Sequence, residues 1–248
     1  MAGHFIRPIQ SRAVSIWGKM YLLYLRFSHP DVYQVITRVR REKLTYLNTS
    51  ALVDLYRAIH ALEVGNRQGM LIEAGCALGG SALVMAASKQ RERPLRIYDT
   101  FGMIPSPSEA DGCDAHTRYA EIIQGQASGI RGEPYYGYEP DLPDKVKANF
   151  QRFGYPSQAD HIEFIPGLFQ DTLHVDQPVA LAHIDCDWHD SVMTCLQRLV
   201  PFLISGGVLI IDDYFTWSGC RTAVDTYFAE QTDRYAFILK SRLHILRR

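Results

Sequence analysis

Apolar residues recur at three- and four-residue intervals from Asn48 onward. Leu52, Leu55, Ile59 and Leu62 share one helical face, and the run breaks at GNRQG, residues 65–69. Beyond it the pattern changes. Short runs at Met70–Ala74, Leu95–Thr100, His161–Pro166, Val179–Asp185 and Gly207–Ile211 predict strands, the first of them apolar in character. Helical spacing separates them, at Gly79–Gln90, Asp144–Phe153, Asp190–Leu203 and Thr222–Ala229. Phe237–Lys240 and Leu243–Leu246 predict a closing hairpin. Strands alternating with helices in this way predict an α/β chain with a doubly wound, mainly parallel sheet.

Two stretches stand outside the alternation. Residues 1–45 are irregular, basic and aromatic, and predict an N-terminal extension of one to three helices ahead of a single domain at 46–248. Within it, Ser15–Phe27 is amphipathic and suits packing on the domain or across a homodimer. Residues 101–140 are crowded with Gly, Pro and Tyr and lack clear periodicity apart from a short helix near Ala115–Gln126. An insertion of that length predicts a lid over a binding site.

The 248 residues are 47% hydrophobic and 21% charged, which suits one large domain. A net charge of -1 gives no general attraction for nucleic acid or an acidic membrane, and no apolar run is long enough to cross a bilayer. The N-terminus carries no signal-peptide core. Cys76, Cys113, Cys186, Cys195 and Cys220 form no CxxC pair, which points to reduced thiols in the cytoplasm. The expected partner is a small molecule, not nucleic acid or membrane.

The chemistry gathers at strand ends. IEAGCALGGS, residues 72–81, joins the first strand to a helix through Gly75, Gly79 and Gly80. The spacing is not GxGxxG, which argues against a nicotinamide oxidoreductase. Glu73 at the strand end suits an ammonium group. Asp99, ending the second strand, has the position that accepts hydrogen bonds from ribose hydroxyls. A ligand with both groups is S-adenosylmethionine. The plainer alternative is that the glycines only allow close packing, with Glu73 at the surface.

HIDCDWHDS, residues 183–191, and GGVLIIDDYF, residues 206–215, end two further strands in carboxylates. If the first strand runs on, His183, Asp185 and Asp187 share a face. Where this set converges with Asp212 and Asp213, three carboxylates gathered together repel one another unless a hard cation such as Mg²⁺, or Ca²⁺ or Mn²⁺, joins them. A fourth beside the cation can act as general base. Asp190 is expected to cap the following helix, and His183 to be a hydrogen-bonded core residue.

IEAGCALGGSA, YDTFGMIP, FIPGLFQDTL, AHIDCDWHDS and GGVLIIDDYFTWSGCRTAVDTYF, in this order over roughly residues 45–240, resemble the macrocin O-methyltransferase family. The resemblance implies a Rossmann-like class I methyltransferase fold with a seven-stranded sheet whose last strand is antiparallel. It implies that Asp185, Asp212 and Asp213 bind Mg²⁺ and that Asp187 is the base. On the S-adenosylmethionine side it implies Glu73, Gly75, Gly79, Ser81, Asp99, Phe101 and Asp185, with Gly167 and Phe169 near the adenine. The family usually reads IDADLYES where this chain has Cys186, Trp188 and His189. Trp188, His189 and Tyr214 are therefore expected at an altered acceptor site. The implied activity is Mg²⁺-dependent O-methylation of a sugar hydroxyl on a glycosylated natural product. The alternatives are a catechol-like phenolic diol as acceptor, or an adenosyl-ligand binding protein without catalysis.

Overall fold

The computed structural model describes residues 12–248 apart from residue 158. The start of the expected N-terminal extension thus lies outside the described residues. Its remainder forms α1 (Arg12–Ser28) and α2 (Pro30–Arg41), followed by α3 (Thr49–Val64). Asn48 starts α3 by accepting the Ala51 N–H at 2.9 Å.

Next come β1 (Met70–Ala74), α4 (Gly80–Ser88), β2 (Leu95–Asp99), α5 (Cys113–Ile123) and α6 (Leu142–Arg152). They are followed by β3 (Ile162–Pro166), α7 (Phe169–Thr172), β4 (Val179–Ile184) and α8 (His189–Leu199). The chain continues with β5 (Leu203–Ile211), α9 (Ser218–Phe228), β6 (Tyr235–Leu239) and β7 (Leu243–Arg247).

The sheet has seven strands in the order β3-β2-β1-β4-β5-β7-β6. The first five run parallel, and β7 is antiparallel to both neighbours. Every residue of β1 and β4 is buried, which is why their sequences, apart from Glu73 and His183, are apolar rather than alternating. One core joins α1–α4 and α6 to one face of the sheet, and a second joins α8 and α9 to the other. The winding reverses between β1 and β4, and a crevice opens beyond the carboxyl ends of these two strands.

Several boundaries differ from the sequence expectation. β4 stops at Ile184, so Asp185 and Asp187 lie on a turn rather than a strand face. β5 begins at Leu203 because Gly206, at φ +76°, carries an irregularity inside the strand instead of opening it. α9 starts at Ser218, four residues ahead of Thr222. The single turn α7 was not expected. On α1, Ile16, Met20, Leu23, Tyr24 and Phe27 form a stripe that is 55–80% exposed.

One core group makes the fold sensitive to acid. His244 on β7 is 2% exposed, and its Nε2 has no hydrogen-bond partner. Burial, then the charges of Lys240, His183 and Arg57, push its pKa down to about 3 from 6.5. The unfolded chain therefore binds a proton that the fold excludes, and this group removes stability as pH falls from 6.5 towards 3. The slope reaches at most about 1.4 kcal/mol per pH unit. His244→Leu is expected to flatten the fall of melting temperature below pH 6.5. Equal slopes in both proteins would remove His244 from the account.

Candidate active site

The turn after β1 rests on Gly75, at φ +89°. A Cβ there would lie 1.9 Å from the Asp185 carbonyl oxygen, so the turns after β1 and β4 touch backbone to backbone. Asp99, at the end of β2, ties this turn to the next. Its Oδ2 accepts from Cys76 N–H at 2.7 Å and Ala77 N–H at 3.2 Å, and its Oδ1 from Phe101 N–H at 2.7 Å. Burial pushes the Asp99 pKa up, against these three backbone donors. A cleft of about 480 Å³ opens here, lined by Gly75, Asp99, Thr100, Gly167, Phe169 and Asp185.

Glu73 and Ser81 do not reach this cleft. Glu73 has no exposed surface; Ser81 Oγ donates to its Oε1, and its Oε2 lies 2.9 Å from His183 Nδ1. Gly79 caps α4 at φ +86° against Val146 and Phe150. Phe101, at φ +50°, turns its ring onto Phe164, with centroids 6.3 Å apart.

The acidic turns border a second, larger cleft of about 890 Å³. Asp185, Asp187, Asp212 and Asp213 all line it, with aromatic walls from Tyr46, Tyr135, Tyr136, Trp188 and Trp217. Gly75, Tyr136, Asp185 and Asp187 face both clefts. Asp187 sits in the left-handed region at φ +58°, and its Oδ1 accepts Trp217 Nε1–H at 2.7 Å. Arg242 Nε–H donates to Asp212 Oδ1 at 2.5 Å.

Four carboxylates so close cannot all ionise freely. Burial, then the neighbouring aspartates, push Asp213 well above the ordinary carboxylate value. Burial and Asp212 do the same to Asp185. Burial also opposes the Asp212 charge, but His183 and Arg242 overcome it and hold its pKa below the ordinary value. Burial likewise works against a charged His183, and Glu73 and Asp212 outweigh it.

A divalent cation fits this set. Asp213 Oδ2 and His183 Nε2 are buried without a hydrogen-bond partner, and His183 Nε2 stops 3.7 Å from Asp212 Oδ1. One ligand atom from each of His183, Asp185 and Asp212 falls within 4.8 Å of the others. Among the described residues this gathering differs from the expected Asp185, Asp212 and Asp213 by including the histidine.

The residues expected around the acceptor divide. Trp188 lines the larger cleft, with Nε1–H on the Pro105 carbonyl at 2.8 Å and its ring 5.3 Å from that of Trp217. His189 borders neither cleft, and its Nδ1 lies 2.7 Å from Asp190 Oδ1. Tyr214 turns away and donates its hydroxyl to Asp225 at 2.7 Å. Asp190 does not cap α8. The His189 N–H is taken instead by Asp111 Oδ1, from the insertion, at 2.8 Å.

Sequence reading missed Tyr46, Arg118 and Arg242, which all line the larger cleft. Arg242 left one signal, a charge at the tight end of an apolar hairpin.

The sequence profile of the macrocin O-methyltransferase (TylF) family matches residues 41–234. The chain is 30% identical over 189 residues to 8-demethyl-8-(2,3-dimethoxy-alpha-L-rhamnosyl)-tetracenomycin-C 4'-O-methyltransferase of Streptomyces olivaceus, covering 74% of this chain and 67% of that one. It is 27% identical over 192 residues to demethyldecarbamoylnovobiocin O-methyltransferase of Streptomyces niveus, covering 75% and 68%. The O-methyltransferase NovP superposes with a TM-score of 0.68 at 23% identity, over 95% of this chain and 99% of that one, which shows a shared fold. With a profile match spanning most of its length and a relative at 30% identity, the chain belongs to the macrocin O-methyltransferase family.

Proposed function

We propose that the protein transfers a methyl group from S-adenosylmethionine to a sugar hydroxyl of a glycosylated natural product, assisted by Mg²⁺. The observation that carries this reading is the junction of the two clefts. Gly75, Asp185 and Asp187 face both, so a sulfonium in the smaller cleft and a hydroxyl in the larger one meet at the acidic turns. The curated relatives named above are O-methyltransferases, and the first acts at a rhamnosyl-bearing tetracenomycin by its name.

In this reading Asp99 accepts hydrogen bonds from the ribose, and Gly167 and Phe169 border the adenine. Trp188, Trp217 and Tyr135 line the larger cleft and give it an aromatic wall beside which the apolar side of a sugar ring can pack. Asp185, Asp212 and Asp213 would hold the cation, with His183 close behind Asp212. Bound there, the ion supplies a positive charge that makes an adjacent hydroxyl easier to deprotonate. Asp187 accepts the proton at its carboxylate, which Trp217 N–H orients. Holding the two reactants at one junction supplies much of the acceleration. A phenolic diol remains a second acceptor class, favoured by the same aromatic walls.

Calorimetric titration with S-adenosylhomocysteine, with Mg²⁺ and with chelator, tests the reading. Binding is expected in both conditions, because the smaller cleft is built around Asp99 and the glycine turns. Absence of binding in both would overturn the methyltransferase reading. Asp212→Ala is expected to lose methyl transfer to a panel of rhamnosides and catechols and to lose Mn²⁺ binding. Chelator-resistant transfer in the native protein would dismiss the cation.

A further inference from the structure

Both helices that follow the acidic turns lack a cap of their own. Trp188 and Trp217 occupy the cap positions of α8 and α9, and neither side chain accepts a hydrogen bond. The insertion supplies what is missing. Asp111 Oδ1 accepts the His189 N–H at 2.8 Å, at the start of α8. Asp114 Oδ2 accepts the Ser218 N–H at 2.8 Å, and its Oδ1 accepts the Ser218 hydroxyl at 2.7 Å, at the start of α9. A carboxylate at a helix N-terminus satisfies a free N–H and faces the positive end of the helix dipole.

The contacts are close enough to dictate their neighbours. A Cβ on Gly219 would lie 1.9 Å from Asp111 Oδ1, and a Cβ on Gly112 would lie 2.2 Å from Ser218 Oγ. Asp111 is 7% exposed, and its Oδ2 accepts the Ser108 N–H at 3.0 Å within the insertion. Trp188 adds a third tie through Nε1–H to the Pro105 carbonyl.

The two caps converge on Asp187. His189 follows it by two residues, and Ser218 adjoins Trp217, whose indole N–H holds the Asp187 carboxylate. Asp187 has a left-handed backbone, which a residue with a side chain keeps only when its surroundings enforce it. The geometry points to Asp111 and Asp114 as positioning residues that fasten the insertion to both acidic turns and thereby set the orientation of Asp187. The insertion is thus a working part of the reacting centre as well as its cover. This inference rests on the reading of Asp187 as the base.

The test uses Asp111→Asn, Gly219→Ala, Asp114→Ala and Asp114→Asn in the full chain. Asparagine fails at 111, because both oxygens there accept N–H groups and the amide would turn a donor onto one of them. At 114 it keeps its oxygen for the Ser218 N–H and turns its amide donor to the Ser218 hydroxyl, which can accept; it gives up only the local 3.0 Å bond from the Ala115 N–H and restores most of the native behaviour. Amide exchange at residues 186–190 and 217–220 is expected to rise about tenfold in the first three variants, the effect of losing one cap. Exchange in β1 and β2 and affinity for S-adenosylhomocysteine stay native. In protein with ¹⁵N-labelled tryptophan, the Trp217 indole signal moves in Asp114→Ala and returns in Asp114→Asn.

Opening of the insertion alone, with native exchange at 186–190 and an unmoved Trp217 signal, would overturn the inference. Uniform loosening of every element would also overturn it, since that marks a general structural role. Failure of the native protein to bind S-adenosylhomocysteine would instead strike the functional reading, and the exchange result would stand apart from it.

Discussion

Asp187→Asn is expected to lower turnover by about 10²- to 10⁴-fold, the range that a positioned general base supplies. The substitution changes little else. The amide has the shape of the carboxylate, and its oxygen still accepts the Trp217 indole N–H. The lost charge also relieves Asp213, which Asp187 and the other aspartates push upward. The variant should therefore melt no lower than the native protein and bind S-adenosylhomocysteine and Mn²⁺ with native affinity. Its deficit belongs to proton removal alone, and it should shrink as pH rises and the hydroxyl ionises without help. Rate measurements on whichever rhamnoside or catechol the native protein methylates decide the matter. Turnover within a few-fold of native would transfer the role of base to another group.

Gly75→Ala is expected to be more destructive, through the backbone alone. At φ +89° an alanine is strained, which costs about 1–3 kcal/mol. Its Cβ would also press on the Asp185 carbonyl, with oxygen at 1.9 Å and carbon at 2.8 Å. Neither atom belongs to a side chain that can swing aside. Overpacking of this kind adds about 1–3 kcal/mol. Together they approach a large part of the roughly 5–15 kcal/mol that holds a domain folded. Relaxation would push apart the turns that carry Asp185 and Asp99, since Gly75 N–H also reaches the Tyr98 carbonyl at 2.8 Å. Loss of S-adenosylhomocysteine binding should accompany the fall in melting temperature. Gly154→Ala is the control: its φ is +86°, yet nothing lies within 4 Å of the added carbon. If the two variants melt alike, the close approach has been overestimated.

These contrasts show what a sequence can disclose. β1 and β4 were readable because a strand buried on both faces is apolar at nearly every position. The acidic pairs at 185–187 and 212–213 were readable because carboxylates seldom follow such runs without a reason. The family resemblance then marked the remaining segments in order.

What escaped was orientation and long-range partnership. Glu73 ends a buried strand, but nothing local says that its carboxylate turns inward to Ser81 and His183. Asp190 is the nearest carboxylate in the sequence to the start of α8, yet the acceptor of the His189 N–H is Asp111, 78 residues before that histidine. Arg242 reaches Asp212 across 30 residues, and Trp217 reaches Asp187 across the same separation. Such pairs follow from topology, and topology was only coarsely legible.

Because β7 lies between β5 and β6, the sheet cannot close until residues 243–247 have left the ribosome. Until then β5 presents an open edge of apolar backbone, the kind of surface on which nascent chains aggregate. Arg242 emerges at the same late moment, so Asp212 lacks its guanidinium partner throughout synthesis of the preceding strands. The reacting centre is therefore among the last parts of the molecule to take form, although its first carboxylates are made long before.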